Sequence, residues 1–160
     1  MKVLHPDYDA YGISAMESQV DQSIMKGRPF GGTGFIFNKL LSNSVRARVD
    51  YKHPRVSVME LGTLNFNMLL INAYMPYYNA SMIVEHLNEY RHTIAYIENI
   101  MSLNPTHKFV LFMDMNCNIF DTSLPFSQLI NDMISEYSLV SNFKKIRSME
   151  YFLMFLYVFL

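Results

Sequence analysis

The chain has little of what indicates a secreted, cross-linked or membrane-spanning protein. It contains one cysteine, Cys117, in 160 residues, which excludes an internal disulfide and favours an intracellular setting. Its first residues, MKVLHPDYDAYG, have no apolar core, so no secretory signal is visible. The final run, YFLMFLYVFL, is continuous and apolar but much shorter than the ~20 residues that a spanning helix needs. We therefore expect no membrane protein.

Repeats, low-complexity tracts and linkers are also absent from the sequence. The composition, with 51% hydrophobic and 17% charged residues, predicts a globular domain. Nucleotide-binding loops are missing too. In GRPFGGTGF, Thr33 follows Gly32 where a P-loop needs lysine, and the glycine spacing does not give a Rossmann fingerprint. We interpret these glycines as a tight turn or a close backbone approach that leads into a strand.

Positive charge is concentrated in one segment, although the net charge of the whole chain is −1. Between Lys26 and Arg55 there are seven basic residues and one acid, Asp50, which gives this segment +6 and leaves −7 for the rest. A local positive field is what a phosphate-binding surface needs, and Arg28, Arg46 and Arg48 are the candidate contacts to nucleic acid. The alternative is a solvated face of a β-hairpin, which the charge pattern fits at least as well.

Hydrophobic periodicity predicts strands first, then a helix, a strand and a second helix. The first helix covers about 83–101, with Asn79 or Ser81 as its cap and Asn104-Pro105 at its end; the second runs over about 126–137 with Pro125 in its first turn. This mixture predicts two packed sheets with helices outside, in a layered α/β or α+β arrangement. The predicted strands are 11–16, 34–39, 45–51, 56–61, 67–75 and 108–113.

The pattern is lost after about Asn142. The final residues, FKKIRSMEYFLMFLYVFL, show neither a clean period nor turn residues. They are either a genuine edge strand or a tail that results from intron read-through or a shifted frame. We predict a boundary here, with 143–160 as a divergent hydrophobic tail.

The residues best suited to chemistry follow two apolar strands. Asp114 and Asn116 end FVLFMDMN and, being two apart, face the same side of an extended strand. A carboxylate beside a neutral amide can orient a water and hold a phosphate oxygen. Tyr74 ends the preceding strand and can place its hydroxyl on a phosphate. The alternatives are a strand-end Asx turn for the first pair and an aromatic plug at the sheet edge for the tyrosine.

Taken in order, these segments resemble a known family. GRPFGGTGFIF, VRARVD, RVSVMEL, LLINAYMPYY and FVLFMDMN follow the order and spacing of the endonuclease domains of non-LTR retrotransposons. Those domains resemble apurinic/apyrimidinic endonucleases within the endonuclease/exonuclease/phosphatase superfamily. The resemblance covers about residues 5–142, so that we expect a partial domain at 1–142.

The resemblance implies a four-layer αββα sandwich, here incomplete, and Mg²⁺-dependent hydrolysis of DNA by an activated water. By position, Asp114 corresponds to the carboxylate that orients or activates that water. Asn116 and Tyr74 correspond to the amide and the tyrosine that contact the phosphate. A reverse transcriptase domain in the full-length protein and a nuclear location are further expectations from the family.

Departures from the family pattern predict that this chain alone has negligible nuclease activity. Met113 replaces the glycine before the aspartate, and Tyr77 stands where the repair-type relatives carry asparagine. The family's asparagine strand and the strand with its metal-binding glutamate are expected upstream of His5, and its Ser-Asp-His segment downstream. None of the five histidines matches those positions (His5, His53, His86, His92 and His107), and neither do Glu17, Glu60 and Glu85.

Two other functions stay open. The chain can be a non-catalytic remnant that binds nucleic acid weakly through its basic segment. It can also be a phosphatase of the same fold that acts on a phosphoinositide or sphingolipid head group, because the residues above are shared between the branches.

Overall fold

A computed structural model describes residues 5–16, 31–77, 82–145 and 152–158. Every predicted strand and both helices are present, with some shifted ends. A 3-10 turn, Lys39–Leu41, follows the second strand. The elements are β1 Tyr8–Ile13, β2 Thr33–Asn38, β3 Val45–Ala47, β4 Val56–Gly62, β5 Asn67–Tyr74, α1 Ile83–Leu103, β6 Lys108–Asp114, α2 Pro125–Glu136, β7 Val140–Lys145 and β8 Phe152–Val158.

The strands form two sheets. β1 and β2 pair antiparallel, and the other six strands follow the order β3-β4-β5-β6-β8-β7. Among the pairs of neighbouring strands in the described sheets, only β5 and β6 run parallel. Helix α1 supplies the crossover connection that a parallel pair requires. Parallel pairing brings the carboxyl ends of β5 and β6 to the same edge, where Tyr74 lies opposite Asp114.

Alternation along β5 and β6 separates two packing layers. One set of side chains is buried with both helices in the main hydrophobic core. The other set faces the small sheet, where Phe112 meets Phe35 edge-on at 6.2 Å between ring centroids. Asn72 also donates from Nδ2 to the Gly34 carbonyl at 2.8 Å. The core set comprises Leu69, Ile71, Ala73, Phe109, Leu111 and Met113.

The resulting layers are helices, large sheet and small sheet, which confirms the predicted sandwich class. A second helix layer, outside β1 and β2, is not among the described residues. In the described part of the chain, neither helix is both long and apolar enough to cross a membrane.

Both helices occupy the predicted positions. α1 ends at Leu103, directly before the predicted Asn104-Pro105 stop. The Asn104 side-chain amide donates to the Ile100 carbonyl and to the Tyr51 hydroxyl, both at 2.7 Å. The residue before its first turn is Met82, which makes no side-chain capping bond, whereas Asn79 and Ser81 lie outside the described residues. α2 has Pro125 in its first turn, as predicted.

Two strand boundaries were predicted wrongly. β1 covers Tyr8–Ile13 and not 11–16, because the chain leaves the strand after Ile13 and turns at Ala15 and Met16. β3 stops at Ala47 and not at 51, because the Arg48 side chain folds onto Asp50 and the Tyr51 N–H bonds to the Arg48 carbonyl at 3.2 Å. The prediction was too long because the two-residue alternation of apolar side chains continues to Val49, beyond the point where this local ion pair turns the chain.

The predicted boundary at 142/143 falls inside β7. β8 pairs antiparallel with β6 on one side and with β7 on the other. The backbone at 152–158 therefore forms a strand, which was one of the two alternatives for this stretch. It is an interior strand and not the edge strand that the sequence suggested. The divergence of the sequence at 143–160 stays a prediction.

The glycine cluster before β2 has the structural role that the sequence predicted. Gly31 has φ +67°, and a Cβ added to it would lie 2.9 Å from the Ala15 Cβ and 3.8 Å from the Tyr74 ring. Gly34 allows the small sheet to close, since a Cβ there would lie 2.7 Å from the Tyr11 carbonyl oxygen. These glycines thus bring the start of β2 against the end of β5.

Gly31→Ala is expected to lower the free energy of unfolding by about 1–3 kcal/mol, because a side chain is strained at this φ and meets Ala15. Gly62→Ala is the matched control. Its new Cβ would meet atoms only at 3.7 Å or more, so we expect a change of about 0.5 kcal/mol or less. Denaturant unfolding of both variants measures the difference, and equal effects would contradict the geometry of Gly31.

Candidate active site

The edge at which β5 and β6 end, with the start of β2 beside it, is called the rim here. Tyr74 and Asp114 are register partners on this edge, and both are half-buried. Each follows a core-facing residue, Ala73 or Met113, so the two side chains point toward the small sheet. The predicted neighbourhood of Tyr74 and Asp114 is therefore present, and it opens between the two sheets.

The Asp114 carboxyl group is half-buried at the rim. Its Oδ1 is buried and has no hydrogen-bond partner among the described residues. Burial raises the pKa of Asp114, and the backbone N–H of Asn116, which bonds to the carboxyl group, opposes that rise. A buried acceptor without a partner is costly unless a ligand or a water completes it.

Asn116 holds the two strand ends together. Its Nδ2 donates to the Met75 carbonyl at 2.8 Å, while the Met75 N–H donates to the Asp114 carbonyl at 2.9 Å. Its φ of 49° lies in the left-handed region, which asparagine tolerates better than most residues. The side chain thus fixes the loop that carries Asp114, and direct contact with a phosphate stays a prediction.

Arg55 is a fourth polar group at the rim, and the sequence did not single it out. Its guanidinium carbon lies 5.7 Å from the centroid of the Tyr74 ring, and its Nη2 is 2.8 Å from Glu89 Oε1. The Arg55 side chain is 14% exposed. Its position directly before β4, opposite the end of β5, was the available signal, but it was counted only as part of the basic segment.

The three proposed nucleic-acid contacts have different surroundings. Arg28 lies outside the described residues, and Arg46 is exposed on β3 opposite Glu60. Arg48 bonds to Asp50 at 2.8 Å and to Glu60 at 3.2 Å, and these carboxylates raise its pKa. β3 is three strands from β6, or ~14 Å at the usual strand spacing. Their contact with nucleic acid stays a prediction.

The two departures near the rim do not obstruct it. Met113 is fully buried on the helix side of the sheet, away from the Asp114 face. Tyr77 is 54% exposed, and its carbonyl accepts a hydrogen bond from His86 Nδ1 at 2.7 Å. His86 therefore holds the loop after β5. Cys117 is buried, with Tyr90 Oη 3.4 Å from its sulfur.

A divalent metal would find few ligands at this rim. No group of three or more His, Cys, Asp or Glu side chains within the described residues is arranged to hold a metal ion. Mg²⁺ favours about six oxygen ligands. Asp114 is the carboxylate that the rim offers, so the described residues do not by themselves fit Mg²⁺.

A groove of about 600 Å³ opens beside the rim. One wall is the end of β1 and the turn after it, residues 11–15, and the other is the loop between β3 and β4, residues 49 and 51–54. His53 in that loop stacks on Tyr96 of α1 at 4.7 Å between ring centroids. Burial lowers the pKa of His53, which favours its neutral form. No pattern in the sequence predicted this groove.

Comparisons with known proteins were made by sequence and by structure. No family model matches the chain, and no curated protein matches it by sequence. Solved structures do match. The endonuclease domain of TRAS1, a telomere-specific non-LTR retrotransposon, has a TM-score of 0.59 and 12% identity, over 96% of this chain and 68% of that domain.

Two proteins of Bacteroides thetaiotaomicron are also similar in structure. An endonuclease/exonuclease/phosphatase family protein has a TM-score of 0.55 and 12% identity, over 94% of this chain and 61% of that one. A mannosyl-6-phosphatase has a TM-score of 0.52 and 13% identity, over 95% of this chain and 63% of that one. The chain thus spans roughly two thirds of these structures, and its two sheets and helices have the fold of endonuclease/exonuclease/phosphatase proteins.

Proposed function

We propose that the rim is part of a DNA endonuclease site of the retrotransposon type, which hydrolyses a phosphodiester with an activated water. The observation that carries this proposal is the register of β5 and β6. It sets Tyr74 beside Asp114 with a buried carboxylate oxygen that lacks a partner among the described residues. The similarity in fold to the TRAS1 endonuclease domain supports the retrotransposon branch.

Each rim residue has a role in this proposal. Asp114 accepts a hydrogen bond from the attacking water and orients it, and its raised pKa makes the carboxylate a better proton acceptor. The Tyr74 hydroxyl donates to a phosphate oxygen, and the Arg55 guanidinium beside it stabilises negative charge. Asn116 positions Asp114 through its backbone N–H and fixes the loop through its amide.

Mg²⁺ is the proposed cofactor of the completed site, where it would act as a Lewis acid on the phosphoryl oxygen. Since the described residues offer one carboxylate at the rim, the other ligands would come from outside the described residues, which in the proposed family means a further segment of a longer protein. A reverse transcriptase domain of the same protein and a nuclear location belong to the same proposal. We therefore infer that these 160 residues alone have negligible nuclease activity.

A plasmid-nicking assay tests both the proposed endonuclease function and the inferred inactivity of the 160-residue chain. The 160-residue chain is expected to leave supercoiled DNA intact in Mg²⁺. The comparison is a protein extended along its genomic frame, so that it includes an upstream Gln-Glu strand and a downstream Ser-Asp-His segment. This extended protein is expected to nick the plasmid, and EDTA is expected to stop the nicking. Cleavage by the short chain that is EDTA-sensitive and lost in Asp114→Ala would overturn the inference of inactivity. Stop codons throughout the flanking frame would favour a non-catalytic remnant.

A phosphatase is the second candidate, and the structural similarity to a mannosyl-6-phosphatase favours it. The same rim could present Asp114 and Tyr74 to a phosphomonoester. The extended protein distinguishes the two functions when phosphate release from mannose 6-phosphate is measured beside plasmid nicking. Phosphate release without nicking would replace the endonuclease proposal.

A further inference from the structure

Three buried side-chain oxygens in the described part of the chain have no hydrogen-bond partner there. A buried polar atom that stays unpaired is destabilising, so such atoms are rare in folded proteins unless a ligand or an ordered water completes them. One of the three belongs to Asp114, whose carboxyl group we place in the reaction. The three atoms are Thr33 Oγ1, Ser57 Oγ and Asp114 Oδ1.

Thr33 points from the small sheet toward the large one. Along β2, Phe35 meets Phe112 of β6, whereas the next residue, Ile36, is 63% exposed on the outer face. Because side chains alternate along a strand, Thr33 lies on the same inner face as Phe35, and it is only 9% exposed. Asp114 lies two residues beyond Phe112 on β6, so it faces the same space between the sheets.

The neighbours of Thr33 along the chain place it opposite Asp114. On one side, Phe35 lies deeper between the sheets. On the other side, a Cβ on Gly31 would lie 3.8 Å from the ring of Tyr74, the register partner of Asp114. Thr33 is midway between Phe35 and Gly31 in the sequence, so it faces the end of β6 that carries the Asp114 carboxyl group.

The space between these two side chains suits one water molecule. Facing sheets lie about 10 Å apart, and no direct hydrogen bond joins Thr33 Oγ1 to Asp114 Oδ1. A water that accepts from the hydroxyl and donates to the carboxylate spans about 5–6 Å with two hydrogen bonds of about 2.8 Å each. Buried waters with two or more polar partners are a regular part of folded proteins.

We propose that Thr33 is a positioning residue for the reaction at the rim, because its hydroxyl holds an ordered water on Asp114 Oδ1. This inference rests on the proposed nuclease function. The last torsion of an aspartate side chain is broad, so a carboxyl group with one contact turns easily. Since Oδ1 has no partner among the described residues, the Asn116 N–H bonds to the other oxygen. The water on Oδ1 adds a second contact and fixes the plane of the carboxyl group.

The titration of Asp114 in the 160-residue chain tests this bridge. NMR of the labelled carboxyl carbons follows it, with the Asp114 signal assigned by its loss in Asp114→Asn. Thr33→Val keeps the shape of the side chain but removes the hydroxyl. The carboxylate then loses a hydrogen bond, and its acid dissociation constant is expected to fall about 10-fold. Thr33→Ser keeps a hydroxyl and should titrate like wild type.

Ser57→Ala is the matched control for Thr33→Val. It also removes a buried hydroxyl that lacks a partner among the described residues, but β4 is two strands away from β6. Its Asp114 titration should match wild type. The ionisable side chains that the structure places near Asp114 are the same in all these variants, and they include Tyr74, Arg55 and Tyr90.

Three titration results would overturn the assignment of Thr33. They are a wild-type curve in Thr33→Val, an equal change in Ser57→Ala, and a change in Thr33→Ser as large as in Thr33→Val. A crystal structure of the wild-type chain gives a test without any substitution. It should show a water within about 3.2 Å of both Thr33 Oγ1 and Asp114 Oδ1. Apolar contact between the two side chains at this place would contradict the bridge even if Thr33→Val failed to fold.

Nicking by the extended protein separates this inference from the nuclease proposal. Thr33→Val is expected to lower kcat by about 10- to 100-fold with little change in KM, because the carboxyl group loses its orientation, and Thr33→Ser should restore the rate. If Asp114→Asn abolishes nicking while Thr33→Val titrates and nicks like wild type, the Thr33 assignment is wrong and the nuclease proposal stands. If Thr33→Val changes the titration but Asp114→Asn leaves nicking unchanged, the water bridge stands and the nuclease role of Asp114 falls.

Discussion

Replacing Asp114 with asparagine is expected to slow phosphodiester hydrolysis by about 10²–10⁴-fold in the extended protein, the usual effect of losing a general base. The variant keeps the shape of the side chain and an acceptor for the Asn116 N–H, but it cannot take a proton from water. Plasmid nicking under single-turnover conditions measures the loss. Asp132→Asn, on the exposed face of α2, is the matched control and should retain full activity.

The same substitution is expected to stabilise the fold at neutral pH. Because burial raises the pKa of Asp114 in the folded state, the folded chain disfavours the ionised carboxylate relative to the unfolded chain. That penalty is absent below the ordinary pKa of 3.8 and develops as pH rises through the raised folded value. Asp114→Asn should therefore unfold at a higher temperature than wild type at pH 7, with the difference vanishing toward pH 3.

Loss of activity together with gain of stability distinguishes a functional carboxylate from a structural one. If instead the ionised carboxylate stabilised the strand end through the Asn116 N–H, its replacement by the neutral amide would lower stability at neutral pH. Thermal unfolding of the 160-residue chain at pH 7 and pH 3 separates the two outcomes without any need for enzymatic activity.

Tyr74→Phe is expected to lower the hydrolysis rate of the extended protein by about 10²–10³-fold, the range for removing one donor to a charged transition state. The phenylalanine ring preserves the packing against Gly31 and under Arg55. Stability should therefore change little, and the loss should appear in kcat more than in KM.

The control for Tyr74 is Tyr8→Phe, which removes a hydroxyl at the opposite end of the small sheet. Its rate should match wild type. If Tyr74→Phe also matched wild type, the hydroxyl would not contact the phosphate, and the tyrosine would be the aromatic plug that the sequence left as the alternative.

Sequence periodicity predicted the elements well where burial decides the structure. β5 and β6 are near-continuous apolar runs because they are covered on both faces, and their ends place Tyr74 and Asp114. α1 was predicted from apolar residues at steps of three and four, and Tyr90, Ile94 and Ile97 of that set are buried. Local patterns of this kind need no knowledge of the rest of the chain.

Long-range contacts account for what the sequence did not predict. The position of Arg55 over Tyr74 depends on the register of β4 and β5, and the groove depends on how the small sheet sits on the large one. The pairing of Arg48 with Glu60 joins residues 12 apart, so the basic segment is less available than its composition suggested. Neither spacing nor charge count reveals such contacts.

The central claim is that Tyr74 and Asp114 are neighbours on parallel strands, and a designed disulfide tests it most directly. In a Cys117→Ala background, Tyr74→Cys combined with Asp114→Cys should form an intramolecular disulfide on mild oxidation. Adjacent paired residues lie about 4.8 Å apart, within the range of about 4.4–6.8 Å that a disulfide spans between α-carbons.

The matched control combines Tyr74→Cys with Met113→Cys, whose side chains point to opposite faces of the sheet. Mass spectrometry without reductant measures cross-linking in both variants. The structure predicts a cross-link in the first variant and free thiols in the second. Free thiols in the first, or a cross-link only in the second, would show that the strands pair in another register and that the proposed site does not assemble.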